Sequence, residues 1–238
     1  IFVPDSNGSI LKNVLLENYT GVRCVNSPAA NQLALDIQER YDNKVIVLNV
    51  HAGDLAVFPS FNLTTPEGEE WWSFFSFQQN PVGTINRKMV NGSYAFFSHL
   101  WEDAVAEAVQ EKTNVEISAE VTFNDANREL KVDVASKFLA EMHGTYSLTV
   151  CVMEDSIVGM QQGQSSNYVH RHVFRGTIDN KAWGAVLNQT SVAPEDVFAK
   201  SYTATLNETF NAYQCYIIAY VANTETKEIL QVIKKRIK

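Results

Sequence analysis

Two hydrophobic patterns run along the chain, and one gives way to the other near residue 113. Lys12–Tyr19 is a short apolar run, read as a buried strand and broken by Gly21. A helix is predicted from Cys24 or Ser27 to Tyr41. Ala30, Leu33, Ala34, Ile37 and Tyr41 recur at helical spacing, and Pro28 suits the first turn. Lys44–Val50 is an uninterrupted apolar run, as in a strand covered on both faces. Together these make a right-handed βαβ unit. His51–Asn80 is rich in aromatic residues. It contains a predicted helix, Glu67–Gln78, with a bulky face of Trp71, Trp72, Phe74, Phe75 and Phe77. Pro81 leads into a third strand ending at Arg87. Asn91-Gly92 signals a hairpin turn, and Ser98 caps a helix that ends near Lys112.

From Asn114 the period is two. Val115–Phe123 and Leu130–Val134 alternate around a turn at Asn124–Asn127. Tyr146–Met153, Tyr168–Arg175, Asp196–Leu206, Ala212–Val221 and Glu228–Ile237 complete about seven strands. The expectation is a two-domain α+β chain. An α/β domain spans 1–113 and an antiparallel, immunoglobulin-like β-sandwich spans 114–238, with the boundary near Lys112–Val115.

Charge narrows the partners. There are 19 Lys and Arg against 27 Asp and Glu, a net charge of −8. Phosphate binding needs a basic face, so nucleic acid is not an expected partner, nor is a polybasic membrane contact. No apolar stretch approaches the roughly 20 residues of a membrane span. Ile1–Ser9 is a turn-rich lead-in without an initiator Met, so any export signal is expected outside this sequence. Three cysteines, Cys24, Cys151 and Cys215, cannot all pair within the chain and carry no zinc spacing.

The candidate chemistry centres on Cys24. It sits where a strand hands over to a helix, a setting that favours a thiolate. Three residues on stands Ser27, which can hydrogen-bond sulfur but cannot close a disulfide. Pro81, ahead of a strand, fits a loop proline facing such a cysteine. Glu17 and His51, at strand ends, are placed to tune it. His170 and His172 share one side of a predicted strand, but no third ligand is close in sequence, so no metal site is expected. Trp71, Trp72 and Phe75, with His170 and His172, are candidate binding residues. The bland alternatives are a helix covering the sheet and an interdomain or surface role. No cofactor is expected.

The stretch from Val14 to Ala30, with Cys24-Val25-Asn26-Ser27 at its centre, resembles the Bacteroidetes family of 28-kilodalton outer-membrane lipoproteins. Val47–Gly53, Asn80–Arg87 and Tyr168–Arg175 fit the same family. The resemblance implies a thioredoxin-like domain followed by a β-sandwich, on a lipoprotein exported to the outer membrane. Members often carry Cys-x-x-Cys where this chain has Cys24 and Ser27. The implied function is therefore a binding or structural scaffold with a protein or peptide partner at the cell envelope. The alternative is a monothiol exchange protein acting through Cys24. Membrane contact is implied only through a lipid anchor outside this sequence, and the oligomeric state is left open.

Overall fold

Residues 10–238 are described by the computed structural model, so the lead-in Ile1–Ser9 lies outside the described residues. The first half contains β1 (Val14–Thr20), α1 (Ser27–Tyr41), β2 (Val45–His51), α2 (Pro66–Phe74), β3 (Val82–Ile85) and α3 (Trp101–Ala108). The second half contains β4 (Val115–Asn124), β5 (Glu129–Phe138), β6 (Tyr146–Glu154), β7 (Ile157–Gly159), β8 (Tyr168–His170) and β9 (Val173–Thr177). It ends with β10 (Val197–Thr205), β11 (Cys215–Asn223) and β12 (Ile229–Arg236).

Several local expectations hold with small shifts. β1, α1 and β2 form the βαβ unit, with β1 and β2 parallel from Val14↔Val45 to Thr20↔His51. The α2 helix starts as expected, its Thr65 hydroxyl accepting from Gly68 N at 3.1 Å, but stops at Phe74. Asn91 and Gly92 both take positive φ between Val90 and Ser93, which bridge as a two-residue hairpin.

The expected fold class is overturned by the sheet pairing. One eight-stranded sheet runs β12-β11-β6-β9-β2-β1-β3, with Ala185–Val186 paired beside β6. The strands on either side of residue 113 therefore share a sheet, and no self-contained thioredoxin-like α/β domain stands apart from a sandwich. The joint is the parallel pair β9–β2, registered at Val173↔Asn49. Asn49 fixes it twice, donating from its main-chain N to His172 O (2.8 Å) and from Nδ2 to Arg171 O (2.7 Å). The fold is mostly β, with a separate three-stranded sheet β10-β5-β4.

Alternation explains how the layers close. Every residue of β1, β2 and β6 is buried, as central strands covered on both faces must be. Leu15, Tyr19, Leu48 and Val50 pack with Trp71, Phe75, Met153, Phe174 and Tyr220 on the α2 side. Val14, Leu16, Val45 and Val47 pack with Ala30, Ala34 and Ile37 of α1 and with Trp101 and Val105 of α3. The three-stranded sheet buries Ile117, Val132, Val134 and Phe138 against Val150, Ile217 and Ala219. Within the α2 side lies a buried ion pair. Glu17 accepts from Arg87 Nε (2.8 Å), Arg87 NH2 (2.5 Å) and Thr84 Oγ1 (2.7 Å). The guanidinium stacks 4.3 Å from the Trp71 ring centroid.

Candidate functional site

The C-terminal ends of β1 and β2 turn polar on the face that α1 covers. Asn18 and Thr20 follow Val14 and Leu16 onto that face, and Asn49 and His51 follow Val45 and Val47. The register sets Asn18 beside Asn49 and Thr20 beside His51. Asn18 Nδ2 donates to Asn31 Oδ1 on α1 (2.7 Å) and to Asn49 Oδ1 (2.8 Å). Asn31 Nδ2 in turn donates to the Tyr168 hydroxyl at 3.3 Å. The hairpin β7–β8 and its loop close over this layer. The His170 ring stands 5.4 Å from that of His51, and Tyr168 packs edge-on against His170. Gln161 Nε2 donates to the carbonyls of Gly21 (3.2 Å) and Cys24 (2.9 Å).

This layer concentrates unpaired polar atoms. Among the described residues, Asn18 Oδ1, Thr20 Oγ1, Ser27 Oγ, both His51 ring nitrogens, Gln161 Oε1 and His170 Nδ1 are buried with no protein partner. Each such atom costs about 1–3 kcal/mol when nothing meets it. Burial pulls the His51 imidazole well below its usual pKa, and His170 and Arg175 push it further down. Burial likewise lowers His170 to about 4. Both rings are therefore neutral at pH 7. The Met160 carbonyl, 3.1 Å from His170 Nε2, can only accept, so Nε2 holds the proton and Nδ1 is a bare acceptor.

Cys24 borders the layer in a more closed setting than its sequence suggests. The helix begins at Ser27, with Asn26 at its N-cap, so Cys24 lies in the preceding turn. Its N donates to Gly21 O at 3.0 Å and its O accepts from Ser27 N at 3.3 Å. The side chain is 3% exposed, and its thiol donates to Asn80 O at 3.4 Å. Pro81 follows directly on the carbonyl that holds the sulfur, and the Asn80–Pro81 peptide is cis. Ser27 is buried, but its hydroxyl bonds to nothing in the protein, the thiol included. Glu17 faces the α2 side and is committed to Arg87, which removes it from the role of tuning Cys24.

The other candidates separate. Trp71 is fully buried, its Nε1 donating to Ala182 O at 2.8 Å, and Phe75 is core beside it. Trp72 is partly buried and lines an open cleft of about 570 Å³ with Asp54, Phe77, Gln79 and Asn80, next to the Cys24 carbonyl partner. His170 and His172 do not share a strand face. His172 takes a φ of 50°, which breaks the predicted strand, and its N donates to Asp155 Oδ1 at 3.1 Å. Burial lowers its pKa to about 4 despite the opposing charge of Asp155. Among the described residues no three His, Cys, Asp or Glu side chains are grouped to hold a metal. Cys151 and Cys215 are free, buried thiols on neighbouring strands. Cys151 pairs across with Ile218 and Cys215 with Glu154, and the two thiols pack into different clusters. Sequence reading missed Asn18, Asn31, Asn49, Gln161 and Tyr168. The one available signal was the pair Asn18 and Asn49, polar residues late in two apolar runs.

Comparison with known proteins places the chain. The model of the family described as outer membrane protein Omp28 matches residues 70–238, more than two thirds of the sequence. The chain belongs to that family, and its location is the outer membrane of the cell envelope. No curated protein matches it. Among solved structures it is similar to HBP35 of Porphyromonas gingivalis. The identity is 18% and the TM-score 0.75, covering 96% of this chain and 76% of that one. It is also similar to a structural-genomics protein of Agrobacterium tumefaciens, at 16% identity and a TM-score of 0.53, covering 94% of each chain. These likenesses support the fold. A domain of the outer membrane lipoprotein Omp28 from Porphyromonas gingivalis matches at 22% identity and a TM-score of 0.38, over 53% of this chain and 89% of that one. Among the described residues no helix is long and apolar enough to cross a membrane.

Proposed function

We propose that the chain acts at the outer membrane as a binding or structural protein for a protein or peptide partner, held there by a lipid anchor, rather than by thiol chemistry. The observation that carries this reading is the state of Cys24. Its sulfur is buried and donates to the Asn80 carbonyl, and Ser27 stands where a resolving cysteine would be needed. Reactive cysteines are partly exposed in electropositive surroundings; inert ones are buried. The neighbouring open cleft, with Trp72 and Phe77 as apolar wall and Gln78, Gln79 and Asn80 as polar rim, offers a surface on which such a partner could dock.

Alkylation decides between this and monothiol exchange. Iodoacetamide at pH 7 should leave Cys24 unmodified in the folded protein and label it in guanidinium. Oxidised glutathione should form no adduct on the native chain, as read by mass spectrometry. A stable glutathione adduct on native Cys24, abolished by Cys24→Ser, would instead establish the monothiol reading.

A further inference from the structure

A second cleft, of about 440 Å³, opens at the N-terminal end of α2, where the two halves of the chain meet. Its volume is in the range of small-molecule sites. The floor is Glu67, in the first turn of α2, with Arg175 and Thr177 from β9. The rim is Asn62 and Thr64 before α2, Asn180 after β9, and Asn207.

The floor presents an acceptor that the protein leaves half used. Glu67 is 6% exposed, and Thr177 Oγ1 donates to its Oε1 at 3.2 Å. Among the described residues Oε2 receives no donor. The rim presents donors. Asn62 Oδ1 accepts from Thr64 N (2.8 Å), and Asn207 Oδ1 accepts from Thr209 N (2.9 Å) and Oγ1 (2.8 Å). With their oxygens occupied, both amides keep Nδ2 for whatever fills the cleft. Arg175, beside them, is ion-paired with Glu154, its Nε 3.3 Å from Oε2.

Charge and donor count select the guest. Arg175 is paired with Glu154 outside the lining, so Glu67 and Glu70 leave the cleft with a net negative charge, which disfavours phosphate and carboxylate ligands. A cation would satisfy Glu67 but leave the amide donors and Arg175 facing positive charge. A molecule whose oxygens both donate and accept meets both sets at once. We propose that this cleft binds a neutral saccharide unit, with Glu67 accepting from a ring hydroxyl and the amides of Asn62 and Asn207 donating to neighbouring ones. The site is independent of the reading of Cys24, because it shares no residue with that region.

The test uses the whole chain on an array of neutral glycans, followed by calorimetric titration with the sugar retained and with spermidine and inorganic phosphate. The expected result is saturable binding of at least one neutral saccharide and none of spermidine or phosphate. Asn62→Asp and Asn207→Asp, on the exposed rim, keep the oxygen that accepts from Thr64 N or Thr209 N and replace only the donating amide, so each should weaken the affinity at least tenfold with a melting temperature close to the parent's. Glu67→Gln keeps the shape of the side chain and should weaken it further. The proposal is overturned if no neutral glycan binds, if spermidine or phosphate binds instead, or if the two rim variants bind the sugar as tightly as the parent.

Discussion

Removing either partner of the Glu17–Arg87 pair should cost far more than removing both. Both side chains are essentially inaccessible to solvent, Glu17 at 0% and Arg87 at 1%. Glu17 takes three donors, two of them from the guanidinium, which also lies over Trp71 and within 5.2 Å of the Tyr220 ring centroid. Glu17→Gln leaves a buried cation facing a neutral amide. Arg87→Met keeps the length and the apolar contact with Trp71 but strands a carboxylate whose remaining donor is Thr84 Oγ1. Each single variant should lose about 3–5 kcal/mol, the usual result of breaking a buried pair. For a chain of this size that is a drop of roughly 6–20 °C in melting temperature. The double variant Glu17→Leu with Arg87→Met removes both charges and their desolvation together. It should lie within about 2 kcal/mol of the parent or above it. Urea unfolding with an unchanged m-value is the assay, because a change in m would signal a different denatured state. Single variants within 0.5 kcal/mol of the parent would mean water reaches the pair. A double variant as weak as the singles would refute the argument that desolvation dominates.

Acid should destabilise the protein in a defined window. Burial holds His51, His170 and His172 below the unfolded imidazole value near 6.5, with His170 and His172 at about 4. Between pH 6.5 and 4 the unfolded chain therefore binds more protons than the folded one, and stability falls as pH falls. Each ring contributes a slope of up to about 1.4 kcal/mol per pH unit, and His170→Gln should flatten the chemical-denaturation profile. Gly159→Ala should loosen the β7–β8 hairpin, because its Cβ would lie 2.1 Å from Phe61 Cζ; a loss of roughly 1–3 kcal/mol in thermal unfolding is expected, and a neutral result would show the ring moves aside. Thr20→Val exchanges a hydroxyl without a protein partner for a methyl of the same shape, so it should be neutral or stabilising by about 1 kcal/mol. A loss above about 1 kcal/mol would show that the hydroxyl is bonded in solution.

Much of the local structure was legible because it rests on periodicity. The α1 stripe, the two parallel runs and the alternation of β5, whose Leu130, Val132 and Val134 point inward, all appear where the pattern puts them, although β5 runs on to Phe138. What periodicity cannot supply is a partner. Val45–His51 and Tyr146–Glu154 are both uninterrupted buried runs, which is the signature of a central strand, yet the pattern does not say that they belong to one sheet. That pairing depends on β9, and β9 became visible only as part of the run Tyr168–Arg175. The break at Arg171–His172 has no turn residue to announce it. It is imposed by Asp155, which bonds Arg171 Nε and His172 N, and by Asn49, which takes the two carbonyls. The candidate site was legible in the same partial way. Spacing singled out Cys24, Ser27 and Pro81 as candidates, and of these Cys24 does lie against the Asn80–Pro81 peptide, while the Ser27 hydroxyl does not reach the thiol. The polar layer beside it draws on residues 18 to 170, and no local pattern brings those together.

The break in that strand also bears on what Cys24 can do. Because the chain turns at His172, β8 is free to leave the sheet and pair with β7 as a hairpin, registered from Ile157↔His170 to Gly159↔Tyr168. The hairpin places His170 against His51, and the loop inside it places Gln161 against the Gly21 and Cys24 carbonyls. Gln162 N adds a bond to Val22 O at 2.8 Å, so the segment holds the whole turn that carries Cys24. The same pairing that joins the two halves of the chain thus clamps the cysteine loop from outside, while Leu55 O holds it from below through Arg23 N at 2.9 Å. A thiol that exchanged disulfides would need this turn to open for each turnover, and opening would release bonds contributed by three separate segments. A chain that only has to present the neighbouring cleft gains from the same bonds, because they fix Asn80 and the Trp72 wall in place.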